Sequence, residues 1–242
     1  MDANPYESPA DVLDTDTPPD RAARTALAQT IRQFLDARIS AFAFDEALDP
    51  FRGSSDSTVR FVAQAVWYYY DDCTDHMVTL SKPEWDYFQR LLLLLESDGQ
   101  IITTSARRWS WTQLVALGCL IALGWLTWQS GWGPHLWVLS IPFGLVSMAL
   151  AFLRNRNRSS AVYDPILTPF SSFAELSDIL RKTAGFTKQR YPGALSKRRI
   201  RSPVAEFGIR LQFFAGWLLF SPIPLLVQSF PRTETRTEVK AT

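Results

Sequence analysis

The feature that most constrains this chain is Trp109 to Leu153, 45 residues without one Asp, Glu, Lys or Arg. A helix on the surface of a water-soluble core keeps a polar face. This stretch has none to keep, so it reads as two membrane-spanning helices joined by a tight turn. Crossing the hydrocarbon core takes about 20 apolar residues at a rise of about 1.5 Å each. Trp109–Trp128 supplies one run and His135–Leu153 a second, and Gln129 to Pro134 between them carries the Gly and Pro of a turn. Trp109 and Trp111 sit at one end of the hairpin; Trp125, Trp128, Trp132 and Trp137 sit at the other. Amphipathic rings collect in this way at headgroup level.

The flanks set the orientation. Arg107 and Arg108 precede the hairpin, Arg154, Arg156 and Arg158 follow it, and the turn has no cation. The positive-inside rule puts both ends in the cytoplasm and the turn outside. Small residues mark two packing faces: Ser140, Gly144, Ser147 and Ala151 on the second helix, Gly118 and Ala122 on the first. Such faces let backbones approach closely in lipid. Packing within the hairpin is the expectation, and a homo-oligomer built on the same face is the alternative. Pro142 is expected to kink the second helix.

Net charge hides a polarity. Residues 1–108 hold 10 Lys/Arg against 18 Asp/Glu, a net of −8; residues 154–242 hold 15 against 6, a net of +9. The basic part adjoins the membrane segment, so anionic lipid headgroups are its expected partner, through Arg154, Arg156, Arg158, Lys197, Arg198, Arg199 and Arg201. No nucleic-acid-binding motif accompanies these cations, and nucleic acid is not an expected partner. The two cysteines, Cys73 and Cys119, fall in different regions and are not expected to pair, which agrees with a reduced cytoplasm. No secretory leader is visible among the first 20 residues, so the hairpin is expected to direct insertion. Asn4-Pro5-Tyr6-Glu7-Ser8-Pro9 is similar to short N-terminal stretches of bacterial proteins of varied function and implies nothing about activity.

The expected fold is all-α, in six parts. Residues 1–19 form a disordered acidic leader rich in Pro. Residues 20–99 form a small cytoplasmic domain of three main helices. Asp20 caps the first, with Leu27, Ile31, Phe34 and Leu35 as its apolar stripe; a short segment, Phe42–Leu48, stops before Pro50; Asp56 to Thr58 cap the next helix. Ser81 and Glu84 form a capping box that starts the third. Its five consecutive leucines, Leu91 to Leu95, put apolar surface all round it, so it is buried on several sides. After the hairpin at 109–153, residues 154–205 form a basic cytoplasmic segment with a short helix over 172–184. A third membrane element falls within 207–230, where Pro222 and Pro224 interrupt the run Leu211–Val227. A kinked span, a re-entrant segment and an interfacial helix all fit it. Residues 231–242 are expected to be a disordered tail.

One cluster could carry chemistry. On a helix Asp72, Asp75 and His76 would share a face at i, i+3 and i+4, a plausible ligand set for a divalent metal. The bland alternative is that they close one helix and cap the loop before Ser81. Trp67 to Tyr70 is either an exposed aromatic binding surface or a run divided between core and rim. The sequence has no Gly-x-Ser-x-Gly, P-loop or dinucleotide fingerprint. The expectation is therefore a non-enzymatic protein of the bacterial inner membrane, without cofactor, presenting a helical domain to an unknown cytoplasmic protein. The alternatives are a metal-dependent enzyme built on Asp72, Asp75 and His76, and an oligomeric channel.

Overall fold

The computed structural model describes residues 18–70, 74–156 and 166–240. In chain order the elements are α1 (Arg21–Leu35), α2 (Ala41–Arg52), α3 (Ser57–Trp67), α4 (Lys82–Glu96), β1 (Gln100–Arg108), α5 (Trp111–Ser130), α6 (His135–Arg156), α7 (Phe173–Lys182), α8 (Pro203–Leu219), α9 (Pro222–Ser229) and β2 (Arg232–Lys240). The described chain forms two compact units. One, the helical unit, holds residues 18–104, 166–200 and 236–240; the other, the apolar unit, holds 105–156 and 201–235.

The helical unit follows its caps and stripes. Asp20 accepts the Ala23 N–H at 3.0 Å and starts α1, whose Leu27, Ile31, Phe34 and Leu35 are all buried. Phe34 stacks on Phe44 of α2 with ring centroids 4.3 Å apart. Contrary to expectation α2 does not stop before Pro50 but runs through it to Arg52. Pro costs one bond in a final turn, and Arg52 closes that turn by pairing with Asp45 at 2.6 Å and Asp49 at 3.2 Å. Asp56 caps α3 through the Thr58 N–H at 2.9 Å. Glu84 accepts the Ser81 N–H at 2.6 Å at the start of α4, and Leu91 to Leu95 are all buried, so that helix is enclosed on every side.

Two expectations about the C-terminal part are corrected. Residues 166–200 are not a separate basic segment: Phe170, Ile179 of α7 and Leu195 join the same core as α1–α4. Polar contacts fix the register. The buried Trp85 indole donates to Gln189 O at 3.1 Å, Gln189 N–H donates to Gln89 Oε1 at 2.9 Å, and the Tyr191 hydroxyl donates to Leu80 O at 3.0 Å. Lys188 pairs with Asp86 at 2.6 Å. The second correction concerns residues 232–240, which form a strand rather than a disordered tail and pair with β1 in a two-stranded sheet. The fold is mostly helical, not purely so. A Cβ placed on Gly99 would lie 3.1 Å from Val239, while Gln113 Nε2 donates to both Arg108 O at 3.2 Å and Phe230 O at 3.1 Å. The end of one strand thus lies by the start of the other, and the pair is antiparallel.

In the apolar unit, α5 and α6 are each long and apolar enough to cross a bilayer. The helices α8 and α9 pass the same test only together, and their axes differ by 76°. Pro222 and Pro224 set this break. Pro cannot continue α8, yet it is tolerated in a first helical turn, so the two prolines end one helix and begin the next.

Candidate functional site

The carboxylate–imidazole cluster takes a shape other than the expected one. Asp72 and Cys73 lie outside the described residues. Asp75 and His76 stand in a loop, not on a helix, so they do not share a helical face. Asp75 Oδ1 instead accepts the Phe42 N–H at 3.1 Å, and His76 O accepts the Ala41 N–H at 2.8 Å. Together they cap the start of α2 from a distance in sequence. The Phe42 N–H is the main reason that the Asp75 carboxyl sits below its ordinary range, with Ser40 and His76 adding to it. The His76 ring turns Nδ1 toward Met77 O at 2.8 Å. Among the described residues no three His, Cys, Asp or Glu side chains converge as a metal site would need.

A buried ion pair that sequence reasoning left unassigned organises the unit. Arg24 Nε lies 2.7 Å from Asp56 Oδ2, and both side chains are almost wholly buried. Arg24 also donates to Ser97 O and Gly99 O, each at 2.9 Å. Asp56 accepts the backbone N–H of Asp20 at 3.0 Å. Burial pushes the Asp56 carboxyl up, but the Arg24 guanidinium and the N–H groups of Asp20 and Thr58 outweigh it and hold the group below its ordinary value. Four parts of the chain meet here: the starts of α1 and α3, the end of α4 and the approach to β1. A cleft of about 560 Å³ lies beside it, lined by α1, the end of α4 and the end of α7. The cations at its rim are matched: Arg21 with Asp98, Arg32 with Glu96, and Lys182 with Asp178.

The aromatic run at the end of α3 divides. Tyr69 turns inward against Tyr87 and Phe88, at 5.9 and 5.4 Å between centroids. Trp67 and Tyr68 turn outward, and Tyr68 is 70 % exposed. Phe42 meets Tyr70 edge-to-face at 6.3 Å, and the Arg52 guanidinium lies 5.5 Å from the Trp67 ring centroid. Phe42 and Met77 are exposed too. The result is an open surface of Trp, Tyr and Phe edged by Arg. Rigid rings give contact area at small entropic cost, and Trp, Tyr and Arg are the side chains that dominate binding energy at interfaces.

The small-residue face of α6 is occupied. Ser140, Gly144 and Ser147 are buried and Ala151 half-buried. A Cβ on Gly144 would come within 2.6 Å of Leu218 Cα, so α8 packs directly on that backbone. Ser147 Oγ donates to Gln228 Oε1 at 3.2 Å and accepts from Trp217 Nε1 at 3.1 Å, and Gln228 Nε2 donates to Ser147 O at 3.0 Å. The face thus takes α8 and α9 rather than α5. Gly118 and Ala122 are exposed, and among the described residues nothing lies within 4 Å of a Cβ at Gly118; the buried side of α5 is Thr112, Gln113, Ala116 and Leu123. Of the basic residues, Arg154 is half-buried and donates to Thr112 Oγ1 at 3.0 Å and Gln228 O at 2.6 Å. Arg198 donates to Val78 O at 3.4 Å. Arg156, Lys197 and Arg199 are exposed, Arg201 is half-buried, and Arg158 lies outside the described residues.

No family model matches the chain, and no curated protein or solved structure is significantly similar to it.

Proposed function

We propose that this is an integral membrane protein whose helices α5 and α6 cross the bacterial inner membrane and hold the helical unit at its cytoplasmic face. There the surface formed by Phe42, Trp67, Tyr68 and Tyr70 receives a protein partner. That surface carries the reading, because an exposed cluster of large rings beside an Arg fits recognition better than solvation. The polar groups point the same way: Asp56 and Asp75 are engaged by backbone N–H groups and serve the architecture of the unit. Arg107, Arg108, Arg154 and Arg156 flank the two spans and favour the cytoplasmic side for both of their ends.

A photoreactive benzoyl-phenylalanine at Tyr68 in the full-length protein tests this in cells. The expected result is a discrete crosslinked adduct that disappears with Trp67→Ala, while the same probe at half-buried Asp178 gives none. Equal, diffuse crosslinking at both positions, or an adduct indifferent to Trp67→Ala, would refute the reading.

A further inference from the structure

We infer that α8 and α9 form a re-entrant hairpin, which enters the leaflet nearest the helical unit, reaches about mid-bilayer and returns to the same face. The inference rests on the reading that α5 and α6 cross the membrane. It gives the chain two crossings and places the last strand on the side of the helical unit.

The anchors come first. Before α8, Leu195 is buried in the core of the helical unit and Arg198 donates to Val78 O at 3.4 Å. After α9, Val239 is buried in that same core, and its N–H donates to Glu175 Oε1 at 2.8 Å. The chain leaves one folded unit and rejoins it. A bilayer cannot pass through a packed core, so the intervening segment crosses an even number of times. Two crossings are excluded by length. The eight residues of α9 extend about 12 Å, against about 30 Å of hydrocarbon.

Depth agrees with this. The first half of α8 carries the i,i+4 ion pair of Glu206 and Arg210, a pair suited to headgroup level. The apolar remainder, Leu211–Leu219, would descend about 14 Å even along the membrane normal, about half of the hydrocarbon thickness. Packing on α6 gives the same answer independently. Leu218 lies against Gly144, ten residues or about 15 Å deeper along α6 than Arg154. Leu225 then packs with Ala116 and Leu150, Gln228 O accepts from Arg154, and Phe230 O accepts from Gln113 beside Arg108. From 218 to 230 the chain climbs back toward the Arg-bearing ends of α5 and α6. The outer face of α8, with Phe207, Leu211, Phe213 and Phe214 exposed, is left for acyl chains of that leaflet.

Single cysteines at Glu46, Trp132 and Lys240, each in a Cys73→Ala/Cys119→Ala background, test the topology with an impermeant maleimide on oriented vesicles. A nitroxide at Phe220, read by its accessibility to oxygen and to a water-soluble nickel chelate, tests depth. The expected outcome is that Lys240→Cys labels from the same side as Glu46→Cys and opposite to Trp132→Cys, with Phe220 deep in the hydrocarbon. Labelling of Lys240→Cys from the Trp132 side would show that α8 and α9 cross, and a Phe220 nitroxide at the water interface would show a surface helix; either overturns the inference. Labelling of all three from one side would instead remove the underlying hairpin.

Discussion

Asp56→Ala is the substitution that most directly tests how the helical unit is held. The carboxylate has three jobs. It neutralises Arg24, whose side chain is nearly wholly buried, it caps α3 through Thr58, and it ties down the Asp20 N–H at the head of α1. Removing one member of a buried ion pair costs about 3–5 kcal/mol, because the other charge stays buried and unmatched. Losing an N-cap alone costs about 1 kcal/mol. The two losses overlap at one side chain and do not simply add, so a destabilisation of about 4 kcal/mol is expected. That is a large share of the 5–15 kcal/mol that holds a typical domain together. At about 1.4 kcal/mol per tenfold it raises the opening constant roughly a thousandfold. Amide hydrogen exchange on the full-length protein in nanodiscs reads this directly. The amides of α3 should lose about three orders of magnitude of protection, while those of α5, in the other unit, hold theirs. The double variant Arg24→Met/Asp56→Leu should recover most of the loss, since apolar replacement of a buried pair is often neutral or better. A loss under about 1 kcal/mol in Asp56→Ala would refute the account of this site.

Three further outcomes follow from the same geometry. The Asp56 carboxyl is held below its ordinary value of 3.8, so the unfolded chain binds the extra proton first; stability from this site is full above about pH 5 and falls as pH drops through the folded-state value, and Asp56→Asn should flatten that acid limb in a pH-dependent denaturation series. Gly144→Leu should destabilise the apolar unit by about 1–3 kcal/mol, because even a Cβ there meets Leu218 Cα at 2.6 Å, whereas Gly118→Ala, with open space around it, should be neutral or stabilising by up to about 1 kcal/mol; thermal unfolding in matched nanodiscs separates the two. Gln228→Leu removes two hydrogen bonds to Ser147 and should cost roughly 0.6–2 kcal/mol, seen as a lower unfolding midpoint in the same nanodiscs.

Local signals carried much of the fold. The caps at Asp20, Asp56, Ser81 and Ser172 are legible because a side-chain oxygen three residues before a free N–H acts within one turn. The leucine run of α4 predicts enclosure, and enclosure is found. The strands were missed for a physical reason. Arg232–Lys240 alternates Thr or Val with charged residues, and Ile101-Ile102-Thr103-Thr104 is β-branched, yet neither is a strand without the other. Their pairing joins segments about 130 residues apart. Glu175 shows the same limit: a capping-box residue by spacing, it accepts the Ser171 N–H at 2.7 Å and then the Val239 N–H, a partner that only the folded chain brings near.

The sequence alone determined that two stretches are long and apolar enough for a bilayer, where their cations lie, and where most helices begin. Those properties belong to consecutive residues, whose desolvation and hydrogen-bond demands are met locally. The tertiary structure decided what the basic region and the C-terminus do. Residues 166–200 and 236–240 close the core of α1–α4, and the small-residue face of α6 receives α8 and α9. It also moved Asp75 and His76 from a helical face to a loop that caps α2. Burial and pairing between distant segments depend on which surfaces fit together, and one-dimensional spacing holds no record of that fit.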